Sequence, residues 1–268
     1  MGEDMVTHTF YKYQGAGNDF VVIDNRNGLF DSGNVDLVEH LCDRRFGIGA
    51  DGLMLLQDVA DHDFEMVYFN ADGRQGSMCG NGGRCIVAFA RDLKIIDREA
   101  DFLAVDGVHH AQVHGQAGWI SLQMNDVDLI EQDGDAYILN TGSPHYVKLV
   151  SKNTLVNFAV VEEGRKIRYS HAYRDGGINV NFVEVDGDGY HLRTYERGVE
   201  DETLACGTGA TAAALAVAWH NGVDGVFQTP IRVQGGNLTI RFVKEGMRFT
   251  RVFLEGPATF VFKGEIAW

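Results

Sequence analysis

The fold is decided by two stretches, Met-Cys-Gly-Asn-Gly-Gly at 78–83 and Ala-Cys-Gly-Thr-Gly-Ala at 205–210, which share the pattern Cys-Gly-x-Gly. Each stretch leads into an apolar segment. Residues 84–94 carry apolar side chains at helical spacing, and residues 208–220 are alanine-rich and apolar nearly all round before Asn221-Gly222 ends them. A helix that is apolar on every side is a buried helix. The sequence therefore predicts two buried helices, each of which starts beside a cysteine.

The two motifs lie 127 residues apart, which is near half of the 268-residue chain. The same offset carries Asn18 onto His145, Gly52 onto Asn179 and Tyr68 onto Tyr195. Several matches at one offset indicate two homologous halves. We predict an N-terminal lobe of residues 1–126, joined by the last strand at about 260–268, and a C-terminal lobe of residues 127–259.

Short strand-like segments with turn signals between them make up most of the remaining chain. They are residues 20–23, 64–69, 119–124, 156–161, 178–185, 238–243, 249–254 and 259–262. Only one further segment, Val35 to Arg45, has the amphipathic pattern of a helix. Many strands with few buried helices predict an α+β fold in two pseudo-symmetric lobes, each with strands wrapped around a central helix.

Composition limits the classes of function. Acidic residues number 38 against 23 basic residues, and a net charge of −15 disfavours binding to nucleic acid or to an anionic membrane surface. The longest apolar runs fall short of the roughly 18 residues of a membrane span, and the first ten residues lack the features of a signal peptide. Four cysteines are too few for a disulfide scaffold, and they lack the paired spacing of a zinc site. We expect a cytoplasmic protein with reduced thiols.

A cysteine at the start of a helix is suited to acid–base chemistry. The thiolate is the reactive form, and a helix N-terminus lowers the pKa of a thiol. The first backbone amides of a helix also attract anions such as a carboxylate. Two such cysteines could invert one carbon centre, because one thiolate removes a proton from one face while the other thiol returns a proton to the opposite face. Cys79 and Cys206 are therefore the predicted acid–base pair.

Seven motifs, in order along the chain, resemble those of the diaminopimelate epimerase family. They are KYQGAGNDF at 12–20, RFGIGADG at 45–52, FNADG at 69–73 followed by MCGNGGRC at 78–85, NTGSPH at 140–145, NVNF at 179–182, YERGV at 195–199 and ACGTGA at 205–210. This resemblance covers nearly the whole chain. It implies lobes of mostly antiparallel strands, with an active site in the cleft between them.

The resemblance also implies an activity, the interconversion of LL- and meso-2,6-diaminopimelate, an isomerase step of lysine and peptidoglycan precursor synthesis. The family uses no cofactor and no metal, and its members are often homodimers. Carried over by position, Cys206 is the base for the LL substrate and Cys79 is the acid, with the roles exchanged in the reverse direction.

Further site residues follow from the same carry-over. The expected substrate-binding positions are Asn18, Asn70, Gly80, Asn81, Ser143, Asn179, Glu196, Arg197, Gly207 and Thr208, and the resemblance assigns His145 and Glu196 to tuning the cysteines. The fork of Arg197 suits the distal carboxylate of the substrate. Three positions depart from the family pattern: Ser143 stands where an Asn is common, Gly52 where some members have Gln, and Glu200 adds negative charge near the second motif.

Other interpretations stay open at the level of sequence. A proline or hydroxyproline racemase-like enzyme would also use paired cysteines, whereas a PhzF-like isomerase would lack them. Two cysteines of low pKa could instead form a redox-sensing module. In a purely structural protein the thiols would be inert. We interpret Asp51 and Asp72 chiefly as turn residues, and Cys42 and Cys85 as core residues.

Overall fold

The computed structural model describes residues 6–76, 78–115, 118–187 and 189–268. Residues 1–5, which open the stretch used to judge a signal peptide, lie outside the described residues. The chain divides into unit 1, residues 1–122 with 257–268, and unit 2, residues 123–256. The end of the chain therefore returns to the unit in which the chain begins.

Strands outnumber helices in both parts of the chain. The first part contains β1 (Thr7–Gly15), β2 (Asn18–Asp24), α1 (Val35–Cys42), β3 (Gly52–Gln57), β4 (Phe64–Asn70), α2 (Gly80–Asp92), β5 (Glu99–Ala104), β6 (Gly107–His114) and β7 (Trp119–Gln123). The second part contains β8 (Glu131–Asp133), β9 (Ala136–Asn140), β10 (Pro144–Val150), α3 (Val160–Arg168), β11 (Asn179–Asp186), β12 (Gly189–Glu196), β13 (Asp201–Thr203), α4 (Gly207–Asn221), β14 (Gly225–Val233), β15 (Gly236–Glu245) and β16 (Arg248–Pro257). The final strand is β17 (Thr259–Ala267). The prediction of a mixed fold with mostly strands and few helices is confirmed.

The two units repeat one order of strand pairing. In unit 1, β1 and β2 are antiparallel, β2 and β3 parallel, β3 and β4 antiparallel, β4 and β5 parallel, and β5 and β6 antiparallel. In unit 2, the same alternation runs through β9, β10, β11, β12, β14 and β15. A parallel pair needs a crossover connection, and each unit places a helix in both of its crossovers. Thus α2 and α4 occupy corresponding positions in the two units.

The predicted central helices are confirmed in position and in burial. Cys79 is the N-cap of α2 and Cys206 is the N-cap of α4, so each helix begins directly after its cysteine. Residues 80–90 of α2 are all buried, and so are residues 209–218 of α4. Alanine and glycine dominate these stretches, and small side chains let the surrounding strands pack closely on the helices. The α4 helix ends at Gly222, whose φ of 68° is the left-handed conformation that glycine readily adopts.

The strand predicted at 156–161 is wrong. Residues 155–157 form a single turn of 3-10 helix, and α3 starts at Val160. The short alternation of apolar and polar residues is outweighed by charges that suit a helix, because Glu162 and Glu163 lie in its first turn and basic side chains in its last turn. Lys166 bonds both glutamates across one turn, which adds to the same preference.

The described part of the chain contains no helix that is a candidate for crossing a membrane. No helix there combines the length and the apolar character that a bilayer span requires.

Candidate functional site

The start of α2 presents a cysteine and a set of backbone amides. Cys79 has extended backbone angles, and the first bond inside the helix runs from the Gly83 amide to the Cys79 carbonyl at 2.7 Å. The amides of Gly80, Asn81 and Gly82 therefore precede the bonding within the helix. Their N–H groups are the ones that the helix dipole makes attractive to an anion.

The Cys79 thiol donates a hydrogen bond to an amide oxygen. Its Sγ lies 3.7 Å from Asn18 Oδ1, and Asn81 Nδ2 donates to the same oxygen at 3.4 Å. Asn18 Nδ2 donates to Asp51 Oδ2 at 2.6 Å, which fixes the orientation of the Asn18 amide. The Asn18 oxygen is therefore a hydrogen-bond acceptor for Cys79, and this arrangement favours the protonated form of the thiol. The structure brings together three of the predicted residues, Asn18, Cys79 and Asn81.

Asp51 does more than shape a turn. Besides accepting from Asn18, its carboxylate pairs with Arg44 at 2.7 Å. Arg44 in turn pairs with Asp19 at 2.6 Å. The interpretation of Asp51 as chiefly a turn residue was therefore incomplete, because this network sets the direction of the Asn18 amide.

Arg84 is a member of this site that the sequence interpretation missed. Its side chain is fully buried, and it donates to Asn81 Oδ1 at 2.9 Å and to the Gly80 carbonyl at 3.2 Å. Burial lowers the pKa of the Arg84 guanidinium. The first of these bonds fixes the Asn81 amide with its nitrogen towards Asn18. A charged residue directly before the apolar run of residues 85–90 was the available signal.

Among the described residues, the side chain of Asn70 forms no hydrogen bond to the group around Cys79. Asn70 ends β4 as an exposed residue, opposite Gly52 in the register of β3 and β4. An alanine at position 52 would place its Cβ 2.5 Å from the Phe69 carbonyl oxygen, so this close strand pairing requires glycine. Asn70 as a substrate ligand stays a prediction.

The start of α4 presents its cysteine differently. The Cys206 sulfur accepts from the Gly209 amide at 3.4 Å and lies 3.5 Å from Thr208 Oγ1. Inside the helix, the Ala210 amide donates to the Cys206 carbonyl at 2.9 Å. The amides of Gly207 and Thr208 therefore precede the bonding of the helix, and their role in binding a carboxylate stays a prediction. Donors near the sulfur favour the thiolate form.

A buried polar network adjoins Thr208. Ser143 Oγ lies 2.9 Å from His145 Nε2 and 3.3 Å from Thr208 Oγ1, while Asn179 Nδ2 donates to Ser143 Oγ at 3.1 Å. The structure thus joins Ser143, His145, Asn179, Thr208 and Cys206 in one hydrogen-bonded group. Ser143 reaches Cys206 through Thr208 rather than directly.

Asn181 was quoted in a motif but given no role by the sequence interpretation. It is fully buried, and its Nδ2 donates to the Tyr146 carbonyl at 3.1 Å and faces His145 Nδ1 at 3.0 Å. Its Oδ1 accepts from Thr194 Oγ1 at 2.9 Å. These bonds hold the His145 ring, and only the folded structure reveals this role.

Arg197 presents an exposed guanidinium beside this network. Its backbone amide donates to Asn179 Oδ1 at 2.9 Å, and its Nη1 donates to the Gly176 carbonyl at 3.1 Å. Within the described residues, Arg197 forms no ion pair with an acidic side chain. Its guanidinium therefore keeps donors for a carboxylate. Glu196 Oε2 accepts from Thr203 Oγ1 at 2.8 Å, which holds that side chain near the β13 strand.

The extra negative charge of Glu200 is compensated locally. Its carboxylate accepts from Arg168 Nε at 3.2 Å and from the hydroxyls of Tyr169 and Tyr195 at 2.9 and 3.1 Å. These partners turn the charge towards α3 and β12. The expected opposition to a Cys206 thiolate is thereby reduced.

His145 is neutral at physiological pH. Burial, and to a lesser extent the positive charge of Arg197, lower its pKa to about 3. The ring therefore acts as a fixed hydrogen-bonding group rather than as a cation beside Cys206. Tuning of the cysteine by His145 stays a prediction, and it would have to pass through these hydrogen bonds.

The depressed pKa of His145 predicts a loss of stability in acid. The unfolded histidine titrates near 6.5 and the folded one near 3, so the stabilisation is complete above pH 6.5 and is lost as the pH falls towards 3. Between pH 7.5 and 5.0 we expect the free energy of unfolding of the wild type to fall by about 2 kcal/mol more than that of a His145→Gln variant. Urea unfolding at both pH values measures the difference. Equal pH dependence in the two proteins would contradict the assignment.

The remaining cysteines are core residues. Cys42 and Cys85 are buried, and burial raises the pKa of each thiol to about 12. Neither is a thiolate at neutral pH. No cluster of His, Cys, Asp and Glu that could bind a metal occurs among the residues that the structure describes.

Comparison with known proteins gives matches over nearly the whole chain. The family model described as Diaminopimelate epimerase matches residues 10–130 and 137–261. A diaminopimelate epimerase of Flavobacterium psychrophilum is 52% identical to this chain, over 96% of this chain and 99% of the relative. One of Chlorobaculum tepidum is 42% identical, over 94% of this chain and 98% of the relative.

Among solved structures, the fold is shared with a more distant protein. A Bacillus anthracis phenazine biosynthesis protein of the PhzF family superposes with a TM-score of 0.80 at 14% identity, over 98% of this chain and 100% of that one. An identity this low shows a common fold alone.

Proposed function

The chain belongs to the diaminopimelate epimerase family, and we propose that it interconverts LL- and meso-2,6-diaminopimelate with Cys79 and Cys206 as its acid–base pair. As a member of that family it is an isomerase, with a place in lysine biosynthesis. The observation that carries the mechanism is the repeated local structure: a cysteine caps a buried helix in each unit, beside the first backbone amides of that helix.

The reaction consists of two proton transfers, and each involves a different proton. For the LL substrate, the Cys206 thiolate removes the α-proton, and the electron pair of the broken C–H bond is delocalised towards the adjacent carboxylate. The Cys79 thiol then donates its proton to the opposite face of the carbon, so a C–H bond forms and a thiolate remains at Cys79. The reverse reaction exchanges these roles. The hydrogen bonds support this assignment, because Cys79 donates to Asn18 while Cys206 accepts from Gly209.

Negative charge on the substrate needs stabilisation as the α-proton leaves. The amides of Gly80, Asn81, Gly207 and Thr208 are the proposed ligands of the proximal carboxylate, where charge increases in the transition state. Preorganised donors of this kind cost no reorganisation at the moment of reaction.

The distal end of the substrate is assigned to polar side chains. The exposed guanidinium of Arg197 is the proposed partner of the distal carboxylate, since a guanidinium binds a carboxylate through two parallel bonds. Glu196 suits the ammonium group. Asn18, Asn70, Asn179 and Ser143 complete the proposed set of contacts with the substrate.

The thiol chemistry needs a reducing compartment. All four cysteines are free thiols, which supports a cytoplasmic location. A homodimer is proposed as well, since β17 carries Phe260, Val261 and Phe262 with about half of each side chain exposed.

Deuterium incorporation tests the function directly. Purified protein is incubated with LL-diaminopimelate in D2O without added cofactor, once with and once without EDTA. We expect the meso isomer to form in both samples with one deuterium at the inverted α-carbon. L-proline and trans-4-hydroxy-L-proline serve as control substrates. Turnover of proline instead of diaminopimelate, or a product without solvent deuterium, would contradict the proposal.

A further inference from the structure

A line of hydrogen bonds connects the buried His145 ring with the Cys206 sulfur through two hydroxyl groups. It runs from His145 Nε2 to Ser143 Oγ, then to Thr208 Oγ1, and ends at Cys206 Sγ. Each hydroxyl can donate one proton and accept from others. The direction of donation along the line therefore depends on the groups that orient the His145 ring, which is its far end.

Asn181 fixes that far end. Its Nδ2 donates to the Tyr146 carbonyl, so the amide nitrogen and not the oxygen faces His145 Nδ1. The bond from Thr194 Oγ1 to Asn181 Oδ1 supports the same orientation. His145 Nδ1 must therefore accept, and the neutral ring carries its proton on Nε2. That proton is donated to Ser143 Oγ.

The hydroxyl proton of Ser143 then has one acceptor in this line of hydrogen bonds. The Ser143 oxygen accepts from His145 Nε2 and from Asn179 Nδ2. The Asn179 amide is itself fixed, because its Nδ2 also donates to the Pro144 carbonyl and its Oδ1 accepts from the Arg197 amide. With both lone pairs occupied, Ser143 donates its proton to Thr208 Oγ1, and Thr208 is left to donate to the Cys206 sulfur.

We propose that Ser143 and Thr208 are positioning residues that hold the Cys206 sulfur as a thiolate in the free enzyme. Every proton of the line points towards the sulfur, and the Gly209 amide adds a second donor. Hydrogen bonds to a charged acceptor are stronger than those between neutral groups. The inference deepens the proposed function, since it explains why Cys206 rather than Cys79 is the base for the LL substrate.

Several charged or titratable groups also lie near this line of hydrogen bonds. His145 on β10 is neutral, Glu196 on β12 is bonded to Thr203, and Arg197 follows β12. Glu200 and Glu202 are paired with Arg168 and Arg193. The hydroxyl line is the part of this environment that can be altered without changing a charge.

Alkylation of the free enzyme tests the proposal. Wild type and variants react with iodoacetamide between pH 5 and 9, and mass spectrometry of peptides gives separate rates for Cys79 and Cys206. In Thr208→Val, which keeps the backbone amide but removes the hydroxyl, we expect the Cys206 rate at pH 7 to fall about ten-fold and its pH profile to shift upwards. Ser143→Ala should lower the rate about three-fold, while Thr208→Ser should stay within two-fold of wild type.

Two comparisons separate this role from a general structural effect. The Cys79 rate should be unchanged in every variant. Thr211→Val removes a hydroxyl that bonds the Gly207 carbonyl within the same helix, and it should leave both rates unchanged. An unshifted Cys206 profile in Thr208→Val and Ser143→Ala, a failure of Thr208→Ser to retain the rate, or an equal shift at both cysteines would overturn the proposal. If Thr208→Val does not fold, Ser143→Ala decides the question alone.

Failure of this inference is distinguishable from failure of the proposed function. Alkylation is measured without substrate, whereas epimerase activity is measured by deuterium incorporation. Thr208→Val also keeps the amide proposed to bind the substrate carboxylate, so we expect kcat to fall with little change in KM. A rise in KM with an unchanged kcat would assign Thr208 to substrate binding instead.

Discussion

Replacement of Cys79 or Cys206 by alanine is expected to lower kcat for the epimerisation of diaminopimelate by about a thousand-fold or more. Each thiol performs one of the two proton transfers, and a positioned acid or base contributes a factor of about 10² to 10⁴. An inversion needs both transfers, so neither cysteine compensates for loss of the other. Conversion of the LL isomer, followed by chiral chromatography, measures the rate.

Two matched variants control for the loss of a thiol as such. Cys42→Ala and Cys85→Ala remove buried thiols whose pKa is raised to about 12 by burial. Both proteins should keep kcat within about two-fold, with a stability loss on the order of 1 kcal/mol from the missing sulfur. Retention of a tenth or more of wild-type activity in either Cys79→Ala or Cys206→Ala would defeat the two-base assignment.

The sequence predicted well those parts of the fold that depend on local patterns of residue type. Apolar spacing in residues 84–94 and the alanine-rich run of residues 208–220 indicated buried helices, and these helices begin directly after Cys79 and Cys206. The helix at Val160 was missed because a six-residue alternation is compatible with a strand, whereas the charges that favour the helix lie beyond it. The apolar run of β3, which is buried over five of its six residues, carries no period that separates it from a helix.

The polar partners of the cysteines could not be predicted in the same way. Arg84 precedes Cys85 in a motif, but its bond to Asn81 appears only when α2 is buried. The contact between Ser143 and Thr208 joins residues 65 positions apart in sequence, and it depends on how β10 packs against α4. Residue type indicated which groups could bond, while tertiary structure determined which of them do.

Substitution of Gly209 by alanine is the second change with a large expected effect. A Cβ at this position would lie 2.4 Å from Asn181 Oδ1 and 3.2 Å from the Cys206 sulfur. Asn181 is held by Thr194, Tyr146 and His145, so it cannot move without leaving buried polar groups unpaired. Each unpaired group costs about 1–3 kcal/mol, which exceeds the roughly 1 kcal/mol that alanine gains over glycine in a helix.

The corresponding glycine of unit 1 supplies the comparison. A Cβ on Gly82 would meet Met54 Sδ at 3.1 Å and Met66 Cε at 3.3 Å. Methionine side chains are flexible and adapt to a methyl group. Gly82→Ala should therefore change the free energy of unfolding by less than about 1 kcal/mol, because the gain in helix propensity offsets a small rearrangement.

Gly209→Ala should instead lower the free energy of unfolding by on the order of 2–3 kcal/mol. It should also lower kcat about ten-fold, because the Cβ crowds the Cys206 sulfur at 3.2 Å and displaces a reacting group from its position. Urea unfolding and the deuterium assay measure the two effects. Equal stability losses in Gly82→Ala and Gly209→Ala would show that the methyl group, and not the fixed amide of Asn181, determines the outcome. A loss confined to Gly209→Ala follows from the hydrogen bonds that make Asn181 immobile, which are the same bonds that orient the His145 ring towards Ser143.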